Sequence, residues 1–241
     1  LYPDVVILDP RLCKAISPVL TAMGVAAILG RAIESITSVL SNRVSESFAL
    51  QAVSLLQTHA FRVVHTPHDL EARQGIAIAS HLVGLATSVT RDSLAHAAAI
   101  TIEQATDIRY GQCMMILLPH ALQYNFKGSE SALERIAATV GACEQREGKS
   151  DDQIADDART CIAWIEEFFT HLIAPIAPEL PRRLYDISDA KTQKRLLKAE
   201  DLDRFAYQIS NMIDLLTSRH VPTQQDIIRV LQAAFWGYPM D

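Results

Sequence analysis

The side chains best suited to chemistry concentrate in residues 94–125, LAHAAAITIEQATDIRYGQCMMILLPHALQYN. His96 and His120 are each able to move a proton near neutral pH or to ligate a metal through a ring nitrogen. Tyr110 carries a phenol that can donate or accept a hydrogen bond. The remaining histidines, at 59, 65, 68, 81, 171 and 220, form no tight group with a metal-ligand spacing. His65 and His68 lie three apart, but Pro67 between them prevents one continuous helical face. His81 reads as a core histidine on an apolar helix, and His120, beside Pro119, as a ring bonding backbone at a corner. Neither GxGxxG nor GxxxxGK[ST] is present to cradle a phosphate, nor is there an HExxH or a GxSxG elbow.

The elements that must position these groups are helical. Alanine, leucine and isoleucine dominate, with only 9 glycines. Helical spacing of apolar residues runs over 21–40, 45–64 and 68–89. Asp92 is placed to cap the helix that carries His96 to about residue 105. A polar bend at 106–110 separates it from a second apolar helix, which Pro119 should interrupt or bend. Further helices are expected over 129–143, 153–173, 199–216 and 223–235, the last capped by Thr223 after Pro222. The GKSDD segment at 148–152 reads as a surface loop, and prolines 175, 178 and 181 mark a crossover. Residues 4–8 (DVVIL), ended by Asp9-Pro10, read as one strand, which cannot form a sheet alone.

With 241 residues the chain can bury a large core. A net charge of −6 argues against nucleic acid or an anionic membrane as partner. No apolar run is read as reaching the roughly 18 residues that span a bilayer. The four separated cysteines (13, 113, 143, 161) fit free thiols in a reducing cytoplasm. The first residue is leucine, which reads as a piece of a longer protein.

The order of segments adds more. PDVVILDPRL, TAMGVAAILGRAIE, EARQGIAIASHLVGLA, LAHAAAI followed by YGQCMMILLPHALQYN, and RHVPTQQDIIRVLQAAF together resemble the helical C-terminal domain of the iron-containing (group III) alcohol dehydrogenases. The resemblance runs from Pro3 to Phe235, and the ILLPHALQYN corner and the GLA…HA segment are its most specific parts. It implies an all-α fold of the dehydroquinate synthase-like type over residues 11–241. Residues 1–10 would then be the closing strand of a preceding nucleotide-binding α/β domain. It also implies NAD(P) on that missing domain, a small alcohol or aldehyde as substrate, a cytoplasmic homo-dimer, and one iron or zinc ion held by one aspartate and three histidines. In the family that metal polarises the substrate oxygen as a Lewis acid.

Carried over position by position, the aspartate falls on Ala27 and the first histidine on Arg31, one helical turn later. The third ligand is His96; the fourth, fourteen residues on, falls on Tyr110. A further family histidine tied to proton or substrate handling falls on Ile100. Alanine has no donor atom and a guanidinium does not coordinate iron or zinc, so the family's metal is not expected here. Two readings stay open. In one, Arg31, His96 and Tyr110 line a pocket for metal-independent alcohol/aldehyde oxidoreduction by the full-length protein. In the other the domain is a non-catalytic structural or dimerisation unit. The chain alone should not turn over substrate, because it carries no dinucleotide-binding fold.

Overall fold

The computed structural model describes residues 3–189, 192 and 194–240. Among the described residues there are nine α-helices: α1 (Pro18–Thr37), α2 (Arg43–His65), α3 (Leu70–Thr90), α4 (Leu94–Ala105), α5 (Tyr110–Tyr124), α6 (Glu130–Thr139), α7 (Asp151–Ile173), α8 (Asp201–Ser210) and α9 (Gln224–Trp236). Among the described residues there is no sheet, only one isolated antiparallel bridge between Ser188 and Arg195. The all-α class expected from the sequence is the class observed.

Local chemistry sets most helix starts. Ser17, Asn42, Asp69, Ser150 and Thr223 each turn a side-chain oxygen onto an otherwise orphan N–H of the first turn. Gly237 ends α9 in the left-handed region, φ 77°, where glycine escapes the Cβ penalty.

α1 is the hub. It packs against α2, α3, α4, α5, α6 and α7, and Ala22, Val25, Leu29, Ile33 and Ile36 are sealed from solvent. Each large apolar side chain so buried contributes about 1.5–3 kcal/mol. Contrary to the sequence reading, α1 is long and apolar enough to cross a membrane; 67% of that window is buried inside the fold. Its apolar character is spent on neighbouring helices.

Four other expectations change. Residues 5–9 have no regular structure and no ladder partner, and Leu1 and Tyr2 of the expected strand lie outside the described residues. Pro119 does not end its helix: α5 continues to Tyr124, held by the buried residues Leu117, Leu118, Ala121 and Leu122 on either side of the proline. The polar stretch 148–152 is exposed at Gly148, Ser150, Asp151 and Asp152 as expected, but only residues 148–150 are loop. Lys149 is buried between Glu134 (2.6 Å) and Asp157 (2.8 Å), Ser150 caps α7, and Asp151 and Asp152 form its first turn. The helix expected over 199–216 stops at Ser210, followed by a 3-10 turn at Ile213–Thr217.

Candidate active site

The starts of α4 and α5 decide where the chemistry sits. Neither helix has a side-chain cap of its own. Asp92, expected as the cap of α4, is turned away; Ser93 is the residue at that position. The orphan N–H groups are met by a residue of α1: Ala95 N donates to Glu34 Oε1 at 2.8 Å and His96 N to Glu34 Oε2 at 3.2 Å. α5 is started the same way, Tyr110 N donating to Glu103 Oε1 of α4 at 2.8 Å. Carboxylates placed at helix N-termini also complement the partial positive charge there. At the same junction α5 lies against α1 so closely that a Cβ on Gly111 would collide with the Met23 carbonyl oxygen.

Asp92 is free to do something else because Glu34 has taken its place. Its Oδ1 accepts from Arg31 Nε at 2.9 Å and its Oδ2 from Arg31 Nη2 at 3.1 Å. Arg31 Nη2 also donates to Thr87 Oγ1 at 3.1 Å. The guanidinium is thereby fixed by α3 and by the turn before α4, with its side chain 36% exposed. Beside it, His96 Nδ1 and the Tyr110 hydroxyl are 2.9 Å apart, and the rings meet edge to face. Ala27 and Ile100, each one turn from Arg31 and His96 respectively, are half-buried and bring no polar atom.

The electrostatics follow from burial and charge. Burial holds the His96 imidazolium below its ordinary range, with Arg31 pressing the same way and Asp92 and Asp214 opposing. Burial, then the carboxylates of Glu34 and Asp92, pushes the Tyr110 phenol up, so it stays protonated. Glu34 is raised to about 8, first by burial and next by Asp92, with the N–H donors of Ala95, Ser93 and His96 only partly offsetting this. Together the groups give a positive guanidinium edge beside a neutral imidazole–phenol pair that shares a hydrogen.

Of the residues expected to line a pocket, His96 and Tyr110 are in contact, and Arg31 is near enough to act on the charge of both. What sequence reasoning missed are Asp92, Glu34 and Glu103. Glu34 carried a signal: an acid inside the apolar helix 21–40 has to find a partner. His120 lies elsewhere, about three turns along α5. It lines a cavity of about 480 Å³ with Met115, Ile116, Glu166, Phe169 and Ile173. Contrary to the backbone bond expected for it, its Nδ1 is buried without a hydrogen-bond partner. His81 is half-buried on α3, and His65 and His68 are exposed.

The residues present do not fit iron or zinc. Both oxygens of Asp92 are spent on Arg31, those of Glu34 on helix N–H groups, and His96 Nδ1 on Tyr110. What is left, His96 Nε2 and the Tyr110 hydroxyl, falls short of the three protein ligands that a catalytic zinc site uses.

Glu34 of α1 thus serves the start of α4, and Glu103 of α4 serves the start of α5. The chain belongs to the Fe-containing alcohol dehydrogenase family, whose C-terminal domain model matches residues 21–235. It is 28% identical over 184 residues to choline dehydrogenase of Bacillus subtilis, covering 74% of this chain and 44% of that protein. It is 31% identical over 161 residues to 1,3-propanediol dehydrogenase of Citrobacter freundii, covering 67% and 41%. Among solved structures, alcohol dehydrogenase from Oenococcus oeni superposes with a TM-score of 0.81 at 25% identity, covering 94% of this chain and 54% of that one. The chain thus spans about half the length, or less, of the relatives it matches. Family members are two-domain, NAD(P)-dependent, metal-containing enzymes.

Proposed function

We propose that this chain is the substrate-side domain of an NAD(P)-linked oxidoreductase that interconverts small alcohols and aldehydes in the cytoplasm as a homo-dimer. Residues 11–241 form the helical domain, and residues 1–10 close a preceding nucleotide-binding domain. Val5 and Ile7, 76% and 86% exposed, support this, since apolar side chains on an unpaired segment want a neighbouring layer. Hydride exchange belongs to the nicotinamide on that other domain, and this chain carries no phosphate-binding loop to hold it. Its own share is the oxygen end of the substrate. Arg31 offers positive charge to the carbonyl oxygen, Tyr110 holds the proton that the oxygen takes up, and His96 stands behind the phenol to replace it.

One observation carries this reading: the 2.9 Å contact between His96 Nδ1 and the Tyr110 hydroxyl, beside a guanidinium fixed by Asp92. The test uses the full-length protein with NADH or NADPH and two- to four-carbon aldehydes. Tyr110→Phe should lower kcat about 10²-fold or more with little change in KM. Full activity in Tyr110→Phe, or no turnover by the full-length protein with any such aldehyde, would overturn the proposal.

A further inference from the structure

The groups around Arg31 can be divided into spent and unspent atoms. Arg31 Nε and Nη2 are spent on Asp92 and Thr87. Asp92 and Glu34 have both oxygens already accepting, and Glu103 has one oxygen on the Tyr110 N–H. Unspent are Arg31 Nη1, His96 Nε2 and whichever of the Tyr110 hydroxyl's positions does not face His96. The guanidinium Nη1 can only donate. When the phenol donates to Nδ1, Nε2 carries the ring's hydrogen and donates; when Nδ1 donates to the phenol oxygen, the phenol's own hydrogen turns outward, so in either tautomer the pair presents one hydrogen. A metal needs lone pairs converging on it, whereas this face offers hydrogens and a fixed positive charge.

We infer that the face built by Arg31, Asp92, His96 and Tyr110 is an oxygen-binding, donor-lined site that meets the substrate oxygen directly and takes no divalent metal. The inference rests on the family reading for what the oxygen belongs to, but its polarity follows from the hydrogen bonds alone. Arg31 supplies the charge that an ion would otherwise supply. Asp92 and Thr87 keep that charge in place, so its rotamer freedom is already lost before substrate arrives. Bringing the oxygen of a carbonyl against Nη1 needs no water to be stripped from a metal and no ligand to be exchanged.

The experiment is zinc binding to the purified chain, read by metal content and by calorimetric titration with zinc chloride, so it is independent of turnover. The natural chain should carry less than about a tenth of an equivalent of iron or zinc, and titration should show no site of micromolar affinity that His96→Ala removes. The variant A27D/R31H/Y110H places an aspartate and two histidines around His96 and should gain one zinc per chain. If it fails to fold by circular dichroism, A27D/R31H, which leaves Gly111 and the start of α5 untouched, is the fallback and should gain weaker zinc binding. One equivalent of zinc on the natural chain, lost in His96→Ala, overturns the inference. Folded variants that gain no zinc overturn the placement of Arg31 at the ion's position. Loss of aldehyde reduction with no zinc on the natural chain would count against the proposed function and leave this inference standing.

Discussion

Arg31 on α1 and Asp92 before α4, sixty-one residues apart, form a two-pronged ion pair of 2.9 and 3.1 Å. Arg–carboxylate pairs of this geometry are directional as well as attractive. The pair sits at a partly exposed face, which screens it. In a double-mutant cycle of Arg31→Met and Asp92→Asn, the coupling should be about 1 kcal/mol by urea unfolding, falling in 1 M salt. A coupling near zero at low salt would show the pair to be ornamental to stability.

Glu34 gives the fold a slope against pH. Its carboxyl is raised to about 8 in the fold, so the folded state binds its proton more tightly than the unfolded chain does. On this group's account stability is greatest below its unfolded value and falls as pH rises towards 8, by at most about 1.4 kcal/mol per unit. Glu34→Gln keeps an oxygen for the Ala95 N–H and removes the charge. Urea unfolding at pH 5.5, 7 and 8.5 should show a flatter dependence in the variant; an unchanged slope would place the titration elsewhere.

His120 works in the opposite direction. Burial depresses its imidazole to about 4, so the fold keeps it neutral. The stability it contributes is complete above its unfolded value near 6.5 and is lost as pH falls towards 4. His120→Phe should therefore unfold less readily than the natural chain at pH 4.5 relative to pH 7. Equal acid sensitivity of the two proteins would refute this.

Gly111 is required by contact rather than by φ. A methyl there would press on the Met23 carbonyl, and backbone cannot step aside as a side-chain tip does. Gly111→Ala should cost about 1–3 kcal/mol, whereas the same change at exposed Gly24, where nothing lies within 4 Å of the added carbon, should be neutral or stabilising in mid-helix. Thermal unfolding of the two variants makes the comparison.

Lys149 is the internal cation of the α6–α7 junction. Its ammonium lies between Glu134 and Asp157 and 3.8 Å from Cys143 Sγ. Lys149→Met leaves the two carboxylates facing one another, so Tm should fall by more than in Arg159→Met, whose pair with Asp156 is exposed on both sides.

Much of the fold was legible because its signals are local. The apolar spacing of 45–64 and the Thr223 cap lie within a few residues of α2 and α9 as observed. His96 and Tyr110 were picked out by their order along the chain, and they touch in space with Arg31 nearby. Asp92 was misread because the local rule offers a charged residue at a helix start a cap, whereas it is claimed by Arg31, far back along the chain. Pro119 does not interrupt α5, because the local cost of a proline, about 3 kcal/mol in a helix interior, is outweighed by the buried residues on both sides of it. Pairings such as Glu34 with the start of α4 leave no periodicity to read.

That pairing also bears on how the molecule opens. The amides of Ala95 and His96 are held by a side chain of α1, and that of Tyr110 by a side chain of α4. Their hydrogens exchange with solvent only when the earlier helix has left, so the three helices behave as one cooperative unit in hydrogen exchange. During synthesis the order is favourable. α1 emerges before α4 and α4 before α5, so the acceptor for each helix start already exists when that start leaves the ribosome.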